Sequence, residues 1–226
     1  NGMHMSATKS EGYDGRRFSC VAAIGEATLS LEGCDLTCEG GAAVAQFTQN
    51  ETTGVMFGCC IHDGKGDGVF ICGGASVILE NNNIHSNTKV GVTVSGEGTK
   101  VVLRGNRIRD GKNGGMIIAN GASATLVNNN IHSNIKTGVQ VQGEGSQAVL
   151  RGNRIHNGES TGVIIYDKAS ATLENNDIHS NTDAGVVVED EGSEVVLRGN
   201  RIYDGKESGV VIYDGASATL VNNNIH

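Results

Sequence analysis

The stretch LVNNNIHSN, residues 126–134, decides how this chain is read, because it recurs as LENNNIHSN at 79–87, LENNDIHSN at 173–181 and LVNNNIH at 220–226. Its isoleucine supplies a ruler. Ile61, Ile84, Ile108, Ile131, Ile155, Ile178, Ile202 and Ile225 follow one another at alternating intervals of 23 and 24 residues, so two similar halves make a 47-residue unit. Self-similarity at a fixed period of this size is the mark of a solenoid or array. Seven residues after an anchor stands a glycine, as at Gly91, Gly138, Gly162 and Gly185. Such a position asks for positive φ or for a close approach of another backbone. Eight and ten residues after the anchor come paired aliphatics, for example Val92 with Val94 and Val139 with Val141. That is strand period, with both side chains on one face. A small residue and a leucine precede the anchor, as in Ala124 with Leu126. They mark a second strand, and the anchor with its neighbours marks a third.

Three short strands in every 23 or 24 residues predict an all-β chain wound as a right-handed, single-stranded parallel β-helix. About nine coils at the ordinary strand spacing give a rod of about 40 Å. Right-handed winding is the usual hand of parallel crossovers. A leucine-rich horseshoe has a similar period but requires a helix or its own consensus on the second side, and these segments keep strand period throughout. Composition agrees: the chain has 34 Gly and no Pro, where average usage of about 5% would give roughly ten. Continuous backbone ladders exclude a residue that cannot donate a hydrogen bond. Residues 61–226 read as regular repeats, 6–60 as an irregular N-terminal cap with the first coils, and 1–5, which contain His4 and Met5, as an expression-vector remnant. No composition break divides the repeats, so one elongated domain is expected.

Stacked coils align equivalent residues into files. Asn82, Asn106, Asn129, Asn153, Asn176, Asn200 and Asn223, each two residues before an anchor, should form a column of amides bonded to one another along the rod. Their expected role is architectural. One residue after the anchor comes a second file, with His62, His85, His132, His156, His179 and His226 interrupted by Arg109 and Tyr203. Stacked rings are expected there, since a straight file brings imidazoles together only in pairs whereas a metal centre needs three or four converging ligands.

The alternation of NRI-x-DG coils with NNxIHSN coils, as in LRGNRIRDGKNGGMIIANGASATLVNNNIHSN (103–134), resembles the right-handed β-helix repeats of the carbohydrate-binding and sugar-hydrolase family, including the β-helix domains of F-box proteins. The resemblance covers Ile61 to His226. It implies a β-helix of the pectin lyase-like type, and a function among polysaccharide lyases, hydrolases and epimerases or among non-enzymatic domains that recognise other proteins. It does not extend to an F-box or zinc-finger segment, so ubiquitin-ligase assembly is not carried over. Hydrolases of the family carry paired aspartates and a Gly-His-Gly stretch, and this sequence contains neither DD nor GHG. Asp63, Asp110 and Asp204 share one turn position with Asn157, where Asp and Asn cap their own backbone. The expectation is therefore a non-enzymatic binding or scaffold module, with no catalytic residue, metal or cofactor. The alternative is a carbohydrate-active enzyme, recognisable by one coil whose acids and bases break the pattern.

Two stripes are candidates for a partner. Outward positions of the glycine-led strands carry Phe70, Ile117, Ile164, Tyr166, Val211 and Tyr213. Apolar groups exposed in a row signal a protein or polysaccharide surface. Arg104 with Arg107, Arg151 with Arg154, and Arg198 with Arg201 recur on alternate coils, roughly 9.6 Å apart at twice the strand spacing. They could grip an anionic glycan, although Glu80, Glu174 and Asp177 in the same files offer local ion pairs instead. Formal charge is −8 with scattered cations, which argues against nucleic acid. No apolar run approaches membrane-spanning length. All six cysteines, from Cys20 to Cys72, fall in the first third. Cys34 and Cys38 either bridge or pack as reduced thiols. A homo-oligomer is expected through the last coil, where unpaired backbone invites end-to-end contact.

Overall fold

The computed structural model describes residues 4–7 and 19–226, with the backbone course alone for 4–7. Every regular element is a strand, and all pairing is parallel between one coil and the next. Three sheets result, with ten, nine and nine strands, closing a β-solenoid of about nine turns. The anchor sheet starts with His4–Ala7, Asp35–Cys38 and Cys60–His62 and continues to Asn224–Ile225. His4 and Met5 thus lie in its first strand. The glycine-led sheet runs from Val21–Ile24 to Val210–Ile212, and the leucine sheet from Thr28–Glu32 to Ser217–Val221. Ile61, Ile84, Ile108, Ile131, Ile155 and Ile178 are register partners in sequence and fully buried. Leucines 79, 103, 126, 150 and 173 form a second buried file facing them across the coil. One continuous core therefore fills the bore, with one inward side chain from each anchor strand and two from most strands of the other sheets.

The corner between the leucine and anchor sheets explains the NNN phrase residue by residue. Its first position is left-handed: Asn81, Asn128, Asn175 and Asn222 all have φ of 55°, and Gly105, Gly152 and Gly199 take φ of 63° in the intervening coils. Asn and Gly are the residues that enter this region at least cost, which is why RGN and NNN alternate in the sequence. The second position is the amide ladder. Asn153 Nδ2 donates to Asn176 Oδ1 at 3.1 Å and to Leu126 O at 2.9 Å, while the next coil's Oδ1 also accepts the Asn153 backbone N–H at 2.9 Å. The same set recurs from Asn82 to Asn223, so amides that are almost wholly buried are fully satisfied. The file begins two steps earlier than the asparagines, with Cys34 and then Cys59. Cys59 N–H donates to Asn82 Oδ1 at 2.8 Å.

The glycines at the head of their sheet answer to close approach, not to positive φ. A Cβ on Gly138 would lie 2.7 Å from the carbonyl oxygen of Gly162 and 2.7 Å from Ile155 Cγ2. A second, shorter ladder accounts for the double-length repeat. Asn87, Asn134 and Asn181 are buried and accept from Gly64, Gly111 and Gly158 N–H at 3.0, 3.0 and 3.1 Å. A Cβ on Gly64 or Gly111 would sit within 3.0 Å of that amide oxygen. An IHSN coil therefore requires a DG coil below it. At the last coil Ile212, Leu220 and Ile225 are exposed.

Candidate functional site

On the outer face of the glycine-led sheet, Phe70, Thr93, Ile117, Gln140, Ile164, Val187 and Val211 are successive register partners. Side chains of the first coils alternate apolar and polar, and an unbroken apolar run forms only from Ile164 through Val187 to Val211. Most of this file is half-buried, because each side chain lies against its neighbour above and below. The parallel file is different. Gln142 and Tyr166 are register partners, followed by Glu189 and Tyr213 in the next coils. The Tyr166 hydroxyl donates to Gln142 Oε1, and Gln140 Nε2 donates to the Tyr166 oxygen at 2.8 Å. The Tyr213 hydroxyl donates to Glu189 Oε2. Burial pushes the Tyr166 phenol up, reinforced by the Glu189 carboxylate. Burial also raises Glu189, with Asp190 and Asp214 adding like charge. Tyr166 thus stands against two glutamine amides and Glu189 against a tyrosine hydroxyl, in a stripe whose other rungs are Cys72, Ser95 and Ala119. This is a local break in the repeat. Sequence reading selected Tyr166 and Tyr213 as apolar contacts and missed Gln140, Gln142 and Glu189, whose signal was their departure from the file.

A further exposed apolar surface lies on another sheet. On the leucine sheet Val55, Phe57 and Ile78 are exposed, and a shallow groove of about 440 Å³ runs between Leu29, Val55, Val77, Ile78 and Val102.

All six arginines of the second stripe are exposed at the Asn corner, away from the tyrosine cluster. Most have local partners. Arg151 Nε donates to Glu174 Oε2 at 2.8 Å, and Arg198 lies 3.7 Å from the same carboxylate. The Arg151 guanidinium holds Glu174 below the usual carboxylate range. Arg107 and Arg154 donate to His132 and His179 at 3.0 and 3.1 Å, and the Arg201 guanidinium lies over the Tyr203 ring.

The histidine file stacks. Ring centroids of His132, His156, His179 and Tyr203 are 4.8–5.1 Å apart along the rod. His156 is 8% exposed, its Nε2 faces Asn130 Oδ1 at 2.9 Å, and its Nδ1 is buried with no partner among the described residues. Burial, the neighbouring Arg154 and the two flanking imidazoles push it down to about 4. His85, His132 and His179 are lowered as well, burial leading in each. An imidazole that stays neutral when folded but takes a proton when unfolded loses stability as pH falls from about 6.5 to its folded value. For His156 the loss is on the order of 3 kcal/mol as an upper bound. The urea midpoint should therefore fall between pH 7 and pH 4.5, and His156→Gln should flatten that slope. A slope unchanged by the substitution would remove His156 as its cause.

Another cluster escaped the sequence reading, which expected no metal ligand. Asp35, Cys60 and His62 present one donor atom each, all within 4.8 Å of one another. Asp35 and Cys60 are register partners; Cys60 and His62 alternate on one strand and face the same way. Extending the anchor frame one coil back, to Leu36, would have aligned them. Among the described residues no disulfide forms. Cys34 Sγ contacts Glu32 O and Cys59 Sγ contacts Phe57 O, each at 3.5 Å, so Cys34 stands beside Cys59 of the next coil in the ladder file.

A family model described as a right-handed β-helix region matches residues 4–108 and 97–226. No curated protein matches the sequence significantly. Among solved structures, the periplasmic alginate epimerase AlgG superposes with a TM-score of 0.64 at 13% identity, over 89% of this chain and 60% of that one. The A-module of the Azotobacter vinelandii mannuronan C-5 epimerase AlgE4 gives 0.64 at 17% identity, over 85% of this chain and 64% of that one. Pectate lyase Pel9A gives 0.54 at 10% identity, over 99% and 68%. The chain spans about 60% of the alginate epimerase's length. At these identities the likeness is one of fold.

Proposed function

We propose that this chain, which belongs to the right-handed β-helix family, is a carbohydrate-active β-helix that takes an extended glycan along the outer face of its glycine-led sheet, with acid–base chemistry at Tyr166 and Glu189. The observation that carries this reading is the break in the repeat. A scaffold should have uniform flanks, whereas here two adjacent files bring Gln140, Gln142 and Tyr166 into one hydrogen-bonded group, and the coils beyond pair Glu189 with Tyr213. A carboxyl raised by burial and a phenol held by amide groups are residue types that general acid–base chemistry uses. Tyr166 and Tyr213 offer ring faces to a pyranose, and the two glutamines offer donors and acceptors to its hydroxyls. Asp167, Glu189, Asp190 and Asp214 crowd the same end, which makes a neutral or cation-screened glycan a better electrostatic match than a bare polyuronate. Structural neighbours that are named epimerases and a lyase favour an enzyme over the non-enzymatic scaffold. Within the carbohydrate-binding and sugar-hydrolase repeats, we favour likeness to the glycan-active members over the F-box β-helix domains, because the polar cluster suits a glycan.

The scaffold reading draws on the apolar run Ile164, Val187 and Val211, and it predicts binding without turnover. A panel of neutral and uronate polysaccharides, followed by unsaturated products, reducing ends and proton exchange at the sugar carbons, separates the two. Turnover of one class is expected. Glu189→Gln should lower kcat by about a hundredfold, the usual scale for a proton-transfer group, with Tyr166→Phe acting in the same direction. Binding without turnover across the panel would return the chain to the scaffold class, and neither would remove the glycan altogether.

A further inference from the structure

We infer that Asp35, Cys60 and His62 form a binding site for a divalent transition metal of the zinc class, on the outer face of the anchor sheet and independent of the glycan reading. The three ligand atoms come from two adjacent rungs, held in place by continuous ladder pairing. His62 Nε2 faces Asp35 Oδ1 at 2.6 Å, while its other nitrogen, Nδ1, faces Asp63 Oδ2 at 2.7 Å. A carboxylate on the far side of an imidazole is the arrangement that fixes the ring and its tautomer in metal sites. In a tetrahedral centre with bonds of about 2.0 Å to nitrogen and oxygen and about 2.3 Å to sulfur, ligand atoms stand roughly 3.3 to 3.6 Å apart. Side-chain rotations of an ångström or so convert the present triangle into that geometry, opening the Asp35 to His62 contact as the sulfur closes in.

Acceptors crowd this end of the file. Asn83 Nδ2 already points at the Cys60 sulfur at 3.8 Å, and its Oδ1 is buried with no partner among the described residues. His85 stacks on His62 at 5.1 Å and brings its Nε2 to 3.5 Å from Cys60 Sγ, beside the three-residue cluster. Thiol with imidazole and carboxylate selects zinc or cobalt over the hard oxygen-seeking cations.

The test is to strip the 226-residue chain with chelator and titrate it with Zn²⁺ by calorimetry and with Co²⁺ by absorbance. About one equivalent of Co²⁺ should give the visible bands of a tetrahedral centre and a near-ultraviolet thiolate-to-cobalt band. Cys60→Ser should abolish the thiolate band, and His62→Gln and Asp35→Asn should each weaken binding about tenfold or more. His156→Gln should change nothing. Circular dichroism checks that each variant keeps its strands, and the wild-type spectrum alone decides whether a thiolate is bound. No uptake at micromolar metal, uptake without a thiolate band, or a band that survives Cys60→Ser would each overturn the assignment.

Discussion

Asn153→Ala is expected to lower the stability of the solenoid by about 3–5 kcal/mol, on the scale of one to three per buried polar group left unsatisfied. The side chain serves three partners. Its Oδ1 accepts from the Asn129 backbone N–H at 2.9 Å and from Asn129 Nδ2 at 2.9 Å, and its Nδ2 donates to Leu126 O at 2.9 Å and to Asn176 Oδ1 at 3.1 Å. Alanine removes all of these from a site that is 1% exposed. The loss is a large share of a domain's usual 5–15 kcal/mol. Because each coil contacts only its neighbours, the damage should centre on the coils around residue 153 and appear as a broadened or two-step transition. Asn128→Gly, one residue before the ladder in the left-handed position that the sequence itself fills with either residue, is the matched control and should cost less than about 1 kcal/mol. Urea melts of the two variants check this. Equal, small shifts would mean that the ladder is decoration.

Gly162→Ala should be as damaging for a steric reason. The added Cβ would lie 2.6 Å from Gly185 O, 2.8 Å from Ile178 Cγ2 and 2.9 Å from Asn181 Nδ2. That carbonyl accepts the Val163 N–H at 3.0 Å, so relieving the clash pulls apart the ladder between two coils. Overpacking alone costs about 1–3 kcal/mol. With a strained backbone bond added, a total of at least about 3 kcal/mol is expected, or failure to accumulate as folded protein. Gly58 has open space at its Cβ and φ of 62°. Gly58→Asn should therefore be tolerated, as the asparagines at 81 and 128 already are. A benign Gly162→Ala would show that neighbouring coils can separate freely there, against the close approach of the backbones.

Sequence alone was enough for the period, the three strands, the parallel stacking and the amide file, because a solenoid turns periodicity along the chain into neighbourhood in space. A residue 23 or 24 positions away is the next rung, so the pattern of Ile84, Ile108 and Ile131 already states which atoms touch. Periodicity was silent where the repeat is broken. It could not say whether the glycines before Val139 and Val163 served a turn or a contact, since both uses favour the missing Cβ and only the neighbouring carbonyl's position separates them. Nor could it gather Gln140, Gln142 and Tyr166 into one bonded group, or Asp35, Cys60 and His62 into one cluster. Those contacts depend on side-chain direction and on partners in adjacent coils that no longer repeat, and such geometry is set by tertiary packing, not by spacing.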